Sequence, residues 1–204
     1  MAKKEINTLF VDIGGVLLSN GWDHVSRKKS AEHFGIDYDQ MQSRHALAFD
    51  TYEVGKLSLD DYLNRTVFYE PRSFSHEDFR EFMYAQSRPY IDMIELVKQY
   101  KKEYGLKVVA VSNEGRELAL HRINQFALNQ FIDFFIVSSF VHLRKPDTDI
   151  YRLALDVSQV PPDQIVYLED RPLLIEVARG LGIHAVHHSD VKSTKRVLTE
   201  FFEE

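Results

Sequence analysis

Hydrophobic positions fall into two rhythms along this chain. Short continuous apolar runs predict buried strands, and apolar residues three and four apart predict helices packed against them. The first run, Thr8 to Leu18 (T-L-F-V-D-I-G-G-V-L-L), is broken by one carboxylate and two glycines. It predicts a strand with Asp12 at its C-terminal end, followed by a tight turn at Gly14-Gly15 where the backbone can approach a ligand closely. Taken alone, Asp12 reads equally well as a turn residue after an edge strand.

From Asn20 to about Ser87 the rhythm is helical. Met41, His45, Ala48, Phe49 and Tyr52 share one helix face, with Gly55 as its stop. Ser58 with Asp61, and Ser75 with Asp78, read as helix starts, a hydroxyl N-cap followed by a carboxylate in the first turn. Three or four helices forming a small bundle are expected here. Beyond Pro89 a helix carrying Ile94, Val97, Lys101 and Tyr104 ends at Gly105, and the strand pattern Leu106 to Val111 exits at Ser112-Asn113. A helix from about Gly115 to Leu128, an apolar stretch Phe134 to Val137, and a helix with Ile150, Leu153, Ala154 and Val157 follow. Ile165 to Leu168 then exits at Glu169-Asp170; a helix closed by Gly182, a strand Ile183 to Val186 and a last helix from Ser189 complete the chain.

Strands alternating with long helices predict parallel βαβ units, hence a three-layer α/β, Rossmann-like core with helices on both faces of a parallel sheet. Ligands in such sheets bind beyond the carboxyl ends of the strands. Three exits carry polar residues: Asp12, Ser112-Asn113 and Glu169-Asp170. The core is expected over residues 1–19 and 88–204, with a helical insert over 20–87.

Composition narrows the chemistry. The chain has no cysteine, so disulfides, thiolate metal sites and a cysteine nucleophile are excluded. A net charge of −6 argues against a nucleic-acid binder. No run approaches the roughly 18 apolar residues that cross a bilayer, and Met1–Glu5 leads straight into the first strand pattern, which predicts a cytoplasmic protein without a membrane partner. The Lys3-Lys4, Arg27-Lys28-Lys29 and Lys101-Lys102 clusters read as solvated faces.

Together the strand exits resemble the four motifs of the haloacid dehalogenase-like hydrolase superfamily, in its order and spacing over nearly the whole chain. Asp12 in V-D-I-G-G-V-L matches the nucleophile and Ser112 in V-A-V-S-N the phosphate-binding hydroxyl. Lys145 in R-K-P-D-x-x-I-Y matches the motif lysine, and Glu169-Asp170 in V-Y-L-E-D-R-P the metal-binding acids. The insert after the first motif fits that family's helical cap. What the resemblance implies is chemically coherent. A carboxylate that attacks phosphorus divides one hard displacement into two easier ones. The meeting of two anions then calls for a cation and an ammonium. Mg²⁺ held by Asp12, the Gly14 carbonyl, Asp170 and Glu169, the last directly or through water, would supply the first and Lys145 the second. Ser112, Asn113 and Gly15 would bind the phosphoryl oxygens.

The pattern departs from the family at Gly14, where many of its phosphatases carry a second Asp that protonates the leaving group and activates water. Loss of such a group typically removes roughly 10²- to 10⁴-fold in rate, so the chain is slower, uses another acid, or does not hydrolyse phosphate esters. A D-x-G-G opening resembles a branch related to sugar-phosphate phosphatases, acting on small phosphorylated metabolites as monomer or homodimer, with His45 or a bound water as proton source. Two other readings stay open: a metal-independent dehalogenase, and a catalytically weak ligand- or protein-binding relative. Substrate choice is expected in the insert, among Asn20, Trp22, His45, Phe49, Tyr52 and Glu53, with Trp22 favoured by its place just after the first motif. His45, Phe49 and Tyr52 read equally as bundle core. His187-His188 read as surface or sheet-end histidines.

Overall fold

A computed structural model describes residues 6–202; Met1–Glu5, with the Lys3-Lys4 cluster, lies outside them. The short apolar runs form five parallel strands: β1 (Thr8–Val11), β2 (Lys107–Ser112), β3 (Phe134–Val137), β4 (Ile165–Glu169) and β5 (His184–His187), in the order β3-β2-β1-β4-β5. β1 is therefore central, and Asp12 does not follow an edge strand. Strand order reverses at β1, with β2 on one side and β4 on the other, so the crevice above its carboxyl end is the place where the fold opens to a ligand. The register pairs Val11 with both Ala110 and Leu168. The exits of the three central strands thus lie side by side.

Alternation along the strands builds two apolar layers. Leu9, Val11, Val108, Ala110, Val166 and Leu168 face one cluster, which is covered by α5 (Ile91–Tyr104) and α10 (Val191–Phe202). Phe10, Val109, Val111, Ile165 and Tyr167 face the other, covered by α8 (Thr148–Ser158) and α9 (Pro172–Gly180). Burial on both faces explains why these strands read as unbroken apolar runs. Among the described residues no helix is long and apolar enough to cross a membrane.

Between β1 and α5 the chain forms α1 (His24–Phe34), α2 (Tyr38–Glu53), α3 (Leu59–Thr66) and α4 (His76–Ala85). Ser58 with Asp61 and Ser75 with Asp78 both close capping boxes, each N-cap being worth about 1 kcal/mol. Asp23 and Asp37 cap α1 and α2 with their own side chains. The four helices share their own apolar cluster around Trp22, Tyr52, Tyr62, Phe79 and Met83, which Leu118 of α6 (Arg116–Gln125) joins. The helix expected to run to Leu128 thus ends earlier, at Gln125, and a short 3-10 turn follows.

The insert is seated on the core near the end of α2. Arg144 bridges to Asp50 and, at 2.7 Å, to Glu53. Ser138, at the start of the one-turn helix α7 (Ser138–Val141), donates its hydroxyl to the Glu53 carbonyl at 2.6 Å. The seam is tight at two glycines: a Cβ on Gly115 would overlap the Tyr52 ring, and one on Gly55 the Ser139 carbonyl.

Candidate active site

The structure brings Asp12, Ser112, Lys145, Glu169 and Asp170 together above the central strands. Asp12 follows β1 directly, its N–H donating to the Leu168 carbonyl at 3.0 Å, and its Oδ1 accepts from the Ile13 N–H at 2.8 Å. The Lys145 ammonium stands 3.1 Å from Asp12 Oδ2 and 2.7 Å from Glu169 Oε2. It also donates to the Tyr167 hydroxyl at 3.0 Å, and that hydroxyl donates to Glu169 Oε2 at 2.6 Å. All four side chains are buried.

Burial pushes the Asp12 carboxyl above its ordinary value; Lys145 pulls it down, Glu169 pushes it up, and the Ser112 hydroxyl lowers it. For Lys145, burial alone would lower the ammonium, but Asp12 and Glu169 reverse that and hold it above its ordinary value. The lysine is therefore a fixed charge rather than a titrating group near neutrality.

One carboxylate oxygen from each of Asp12, Glu169 and Asp170 falls within a 4.8 Å cluster. The three acids are not equivalent. Glu169 is satisfied on both oxygens: Oε2 by Lys145 and Tyr167, Oε1 by the Asp170 and Arg171 N–H groups, both at 3.1 Å. Asp170 Oδ1, in contrast, is buried without a hydrogen-bond partner. A hard divalent cation would satisfy that oxygen, and the all-oxygen donor set suits it. Asp12 and Asp170 fit such an ion; Glu169 is engaged with Lys145.

Gly15 does not serve as a phosphate donor. Its N–H is spent on the Leu18 carbonyl at 2.7 Å. The residue sits at φ +80°, and a Cβ there would overlap the Asp170 carboxylate. Glycine is required because the backbone lies against that carboxylate. The Asn113 side chain is likewise engaged elsewhere, donating to the Lys145 carbonyl at 2.8 Å and accepting from the Lys145 N–H at 2.9 Å. Any contact between Asn113 and an oxyanion falls to its main chain.

A cavity of about 320 Å³ opens over these residues, lined on the insert side by Asn20, Trp22, Arg27, His45, Phe49 and Glu53. Trp22 and His45 line it but bond within the insert: the indole N–H donates to the Tyr62 hydroxyl at 2.9 Å, and His45 Nδ1 lies 2.7 Å from that same oxygen. Burial and the charge of Arg27 lower the His45 pKa to about 4. A neutral imidazole with one nitrogen already engaged is a poor proton donor near pH 7. Tyr52 and Glu53 are buried at the seam. His187 lies at the sheet end, 3.1 Å from the Asp170 carbonyl, whereas His188 is buried against Thr194 at 2.8 Å and is not a surface residue.

The site also contains residues that sequence reading missed. Tyr167 sits on β4 two residues before Glu169, on the same strand face, and it bridges that acid to Lys145. Glu114 and Arg122 form a buried pair at 2.9 Å on the cavity wall. The signal for Arg122 was a charged residue on the apolar stripe of α6, between Ala119 and Ile123. Glu114 gave no signal beyond following Ser112 by two positions.

A family model described as haloacid dehalogenase-like hydrolase matches residues 6–182. The phosphorylated carbohydrates phosphatase of Thermotoga maritima is 28% identical over 89 residues, 44% of this chain and 41% of that protein. This chain therefore matches less than half the length of that relative. The fructose-1-phosphate phosphatase YqaB of Escherichia coli is 27% identical over 184 residues, 87% of this chain and 94% of that one. In structure, the chain is similar to a haloacid dehalogenase family enzyme from Bacteroides thetaiotaomicron, with a TM-score of 0.81 at 15% identity, covering 96% of this chain and 99% of that one. The same enzyme in complex with magnesium and inorganic phosphate gives 0.77 at 16% identity, covering 89% and 93%.

Proposed function

The chain belongs to the haloacid dehalogenase-like hydrolases, and from that premise we propose that it is a Mg²⁺-dependent phosphatase of a small phosphorylated metabolite, acting through an aspartyl-phosphate on Asp12. The observation that carries this reading is the pairing of Asp12, fixed beside the Lys145 ammonium, with the unpartnered buried oxygen of Asp170. A nucleophilic displacement of halide gives that oxygen nothing to do. A cation-assisted attack on phosphate does.

Asp12 Oδ2 attacks phosphorus while Lys145 offsets the charge that gathers on the nucleophile and the transferring group. Glu169 and Tyr167 hold the ammonium in place, and Ser112 offers its hydroxyl to a phosphoryl oxygen. Mg²⁺, held by Asp12, Asp170 and the Gly14 carbonyl, would neutralise the phosphoryl oxygens during the attack. The insert, residues 20–87, acts as the substrate-selecting cap over a core of residues 1–19 and 88–204. Its cavity wall sets Arg27 and Glu53 among the aromatic rings of Trp22, Phe49 and Tyr52, and apolar faces with a few placed charges suit a small polar metabolite. The likeness to phosphatases of phosphorylated carbohydrates and of fructose 1-phosphate supports a sugar phosphate.

The test is turnover of a panel of sugar, nucleotide and acyl phosphates in Mg²⁺, with EDTA as control. Activity is expected to vanish on chelation, to return with Mg²⁺, and to be absent from Asp12→Asn. Undiminished activity of Asp12→Asn, or of the wild type in EDTA, would refute the assignment.

A further inference from the structure

An alkoxide leaves phosphorus slowly unless a proton reaches the bridging oxygen, and Gly14 has no side chain to deliver one. The space beside Gly14 is nevertheless not empty of acid–base chemistry. A Cβ on Gly14 would lie 3.3 Å from Asn20 Oδ1 and 4.0 Å from Arg122 Nη1. That same Nη1 donates to Glu114 Oε1 at 2.9 Å, while Nη2 donates to the Ser19 carbonyl at 2.6 Å. Glu114 lines the cavity with Asp12, its Oε1 3.4 Å from the Ser112 hydroxyl. Its backbone is anchored by an N–H donated to Ser138 Oγ at 3.0 Å. Its second oxygen, Oε2, is buried with no partner. A buried carboxylate with one oxygen clamped and the other bare is arranged to meet a group that arrives with the substrate.

We propose, on the premise that the protein is a phosphatase, that Glu114 is the catalytic general acid and base, replacing from the β2 exit the carboxylate that Gly14 lacks, with Arg122 as its positioning residue. In the first step an Asp12 oxygen bonds to phosphorus, the bond from phosphorus to the ester oxygen breaks, and that oxygen takes the Glu114 proton and leaves as an alcohol. In the second step Glu114 removes a proton from water, whose oxygen bonds to phosphorus. The bond from phosphorus to Asp12 then breaks, releasing inorganic phosphate and restoring both carboxyl groups. The surroundings suit this cycle. Burial raises the Glu114 carboxyl above its ordinary value, Arg122 from α6 opposes this, and Asp12 from the β1 exit and Glu53 from α2 raise it, while the Ser112 hydrogen bond lowers it.

The experiment compares wild type and Glu114→Gln on an aryl phosphate with a well-ionised leaving group and on an alkyl phosphate such as glycerol 1-phosphate. For the alkyl ester the variant is expected to lose roughly 10²- to 10⁴-fold in kcat/KM. With the aryl ester it is expected to release a rapid burst of about one equivalent of phenol per enzyme and then turn over slowly, because phosphoryl transfer survives and water activation does not. A variant that keeps its alkyl activity, or that loses both steps on both esters equally, overturns the proposal. Should the Gln variant fail to fold, wild-type enzyme decides: a leaving-group series with a weak dependence of kcat/KM on alcohol pKa supports an internal acid, and a steep dependence overturns it. Failure of the phosphatase reading itself is distinct, since wild type would then hydrolyse neither ester.

Discussion

Replacing Lys145 by Met removes a charge while keeping most of the side chain's volume, so the change isolates electrostatics from packing. The ammonium lies 3.1 Å from Asp12 and 2.7 Å from Glu169, and all three groups are buried. Its loss leaves two carboxylates facing each other without compensation, which costs about 3–5 kcal/mol when both are charged. Protonation relieves part of that cost. The Asp12 pKa is already raised in the folded protein, by burial first and then by Glu169 against the opposing pull of Lys145; without the lysine it rises further. A carboxyl whose folded pKa exceeds its unfolded one binds protons preferentially in the folded state, so its contribution to stability falls as pH rises through the folded value. Lys145 itself, raised from 10.5, does not titrate in this window. Urea unfolding at pH 5 and pH 8 reads the difference. With an m-value of about 2 kcal/mol/M, the variant's midpoint is expected to drop by roughly 1.5–2.5 M at pH 8 and by markedly less at pH 5. Equal losses at the two pH values, or a gain in stability at pH 8, would refute the electrostatic account.

Gly15→Ala forces a methyl into the Asp170 carboxylate at a φ of +80°; Mg²⁺ titration of activity is expected to show a requirement raised roughly 10- to 100-fold, and an unchanged requirement contradicts the role given to Asp170. Tyr167→Phe removes a hydroxyl that joins Lys145 to Glu169 and is expected to cost about 1–3 kcal/mol in thermal or urea unfolding. His45 should titrate near pH 4 by NMR rather than at its usual 6.5; because its folded pKa is lowered, stability should fall as pH drops from about 6.5 towards that midpoint, and a midpoint near 6.5 contradicts its burial beside Arg27. Gly14→Asp in the Glu114→Gln background should restore part of the alkyl phosphatase activity, since the added Cβ meets only the ends of the Asn20 and Arg122 side chains and the Asn20 backbone at 4.0 Å.

The sheet was legible because each central parallel strand is buried on both faces and reads as an unbroken apolar run, and the exits announce themselves as polar interruptions at those runs' ends. Ser58 and Ser75 were legible for a local reason: a capping box is written within four residues. Roles that depend on distant partners were not. Gly15 looks like a ligand-approach glycine in sequence, yet its N–H is consumed by Leu18 and its missing Cβ makes room for Asp170, 155 positions later in the chain. Glu169 reads as half of an acidic pair, and only Lys145 and Tyr167 reveal that its oxygens are already taken. Trp22, His45 and Tyr62 sit on separate segments of the insert, so their convergence on one hydroxyl leaves no trace in spacing.

The two glycines at the seam carry a further consequence. With Gly115 against the Tyr52 ring and Gly55 against the Ser139 carbonyl, the distance between insert and core is fixed where no side chain intervenes on one side of the contact. Each position works as a zero-thickness spacer, and a methyl added there is a shim. Alanine at either place would press insert and core apart at the seam, with added backbone strain at Gly55, whose φ is +71°, and with Gly115 next in the chain to Glu114, so the seating of the insert and the placing of that acid are coupled.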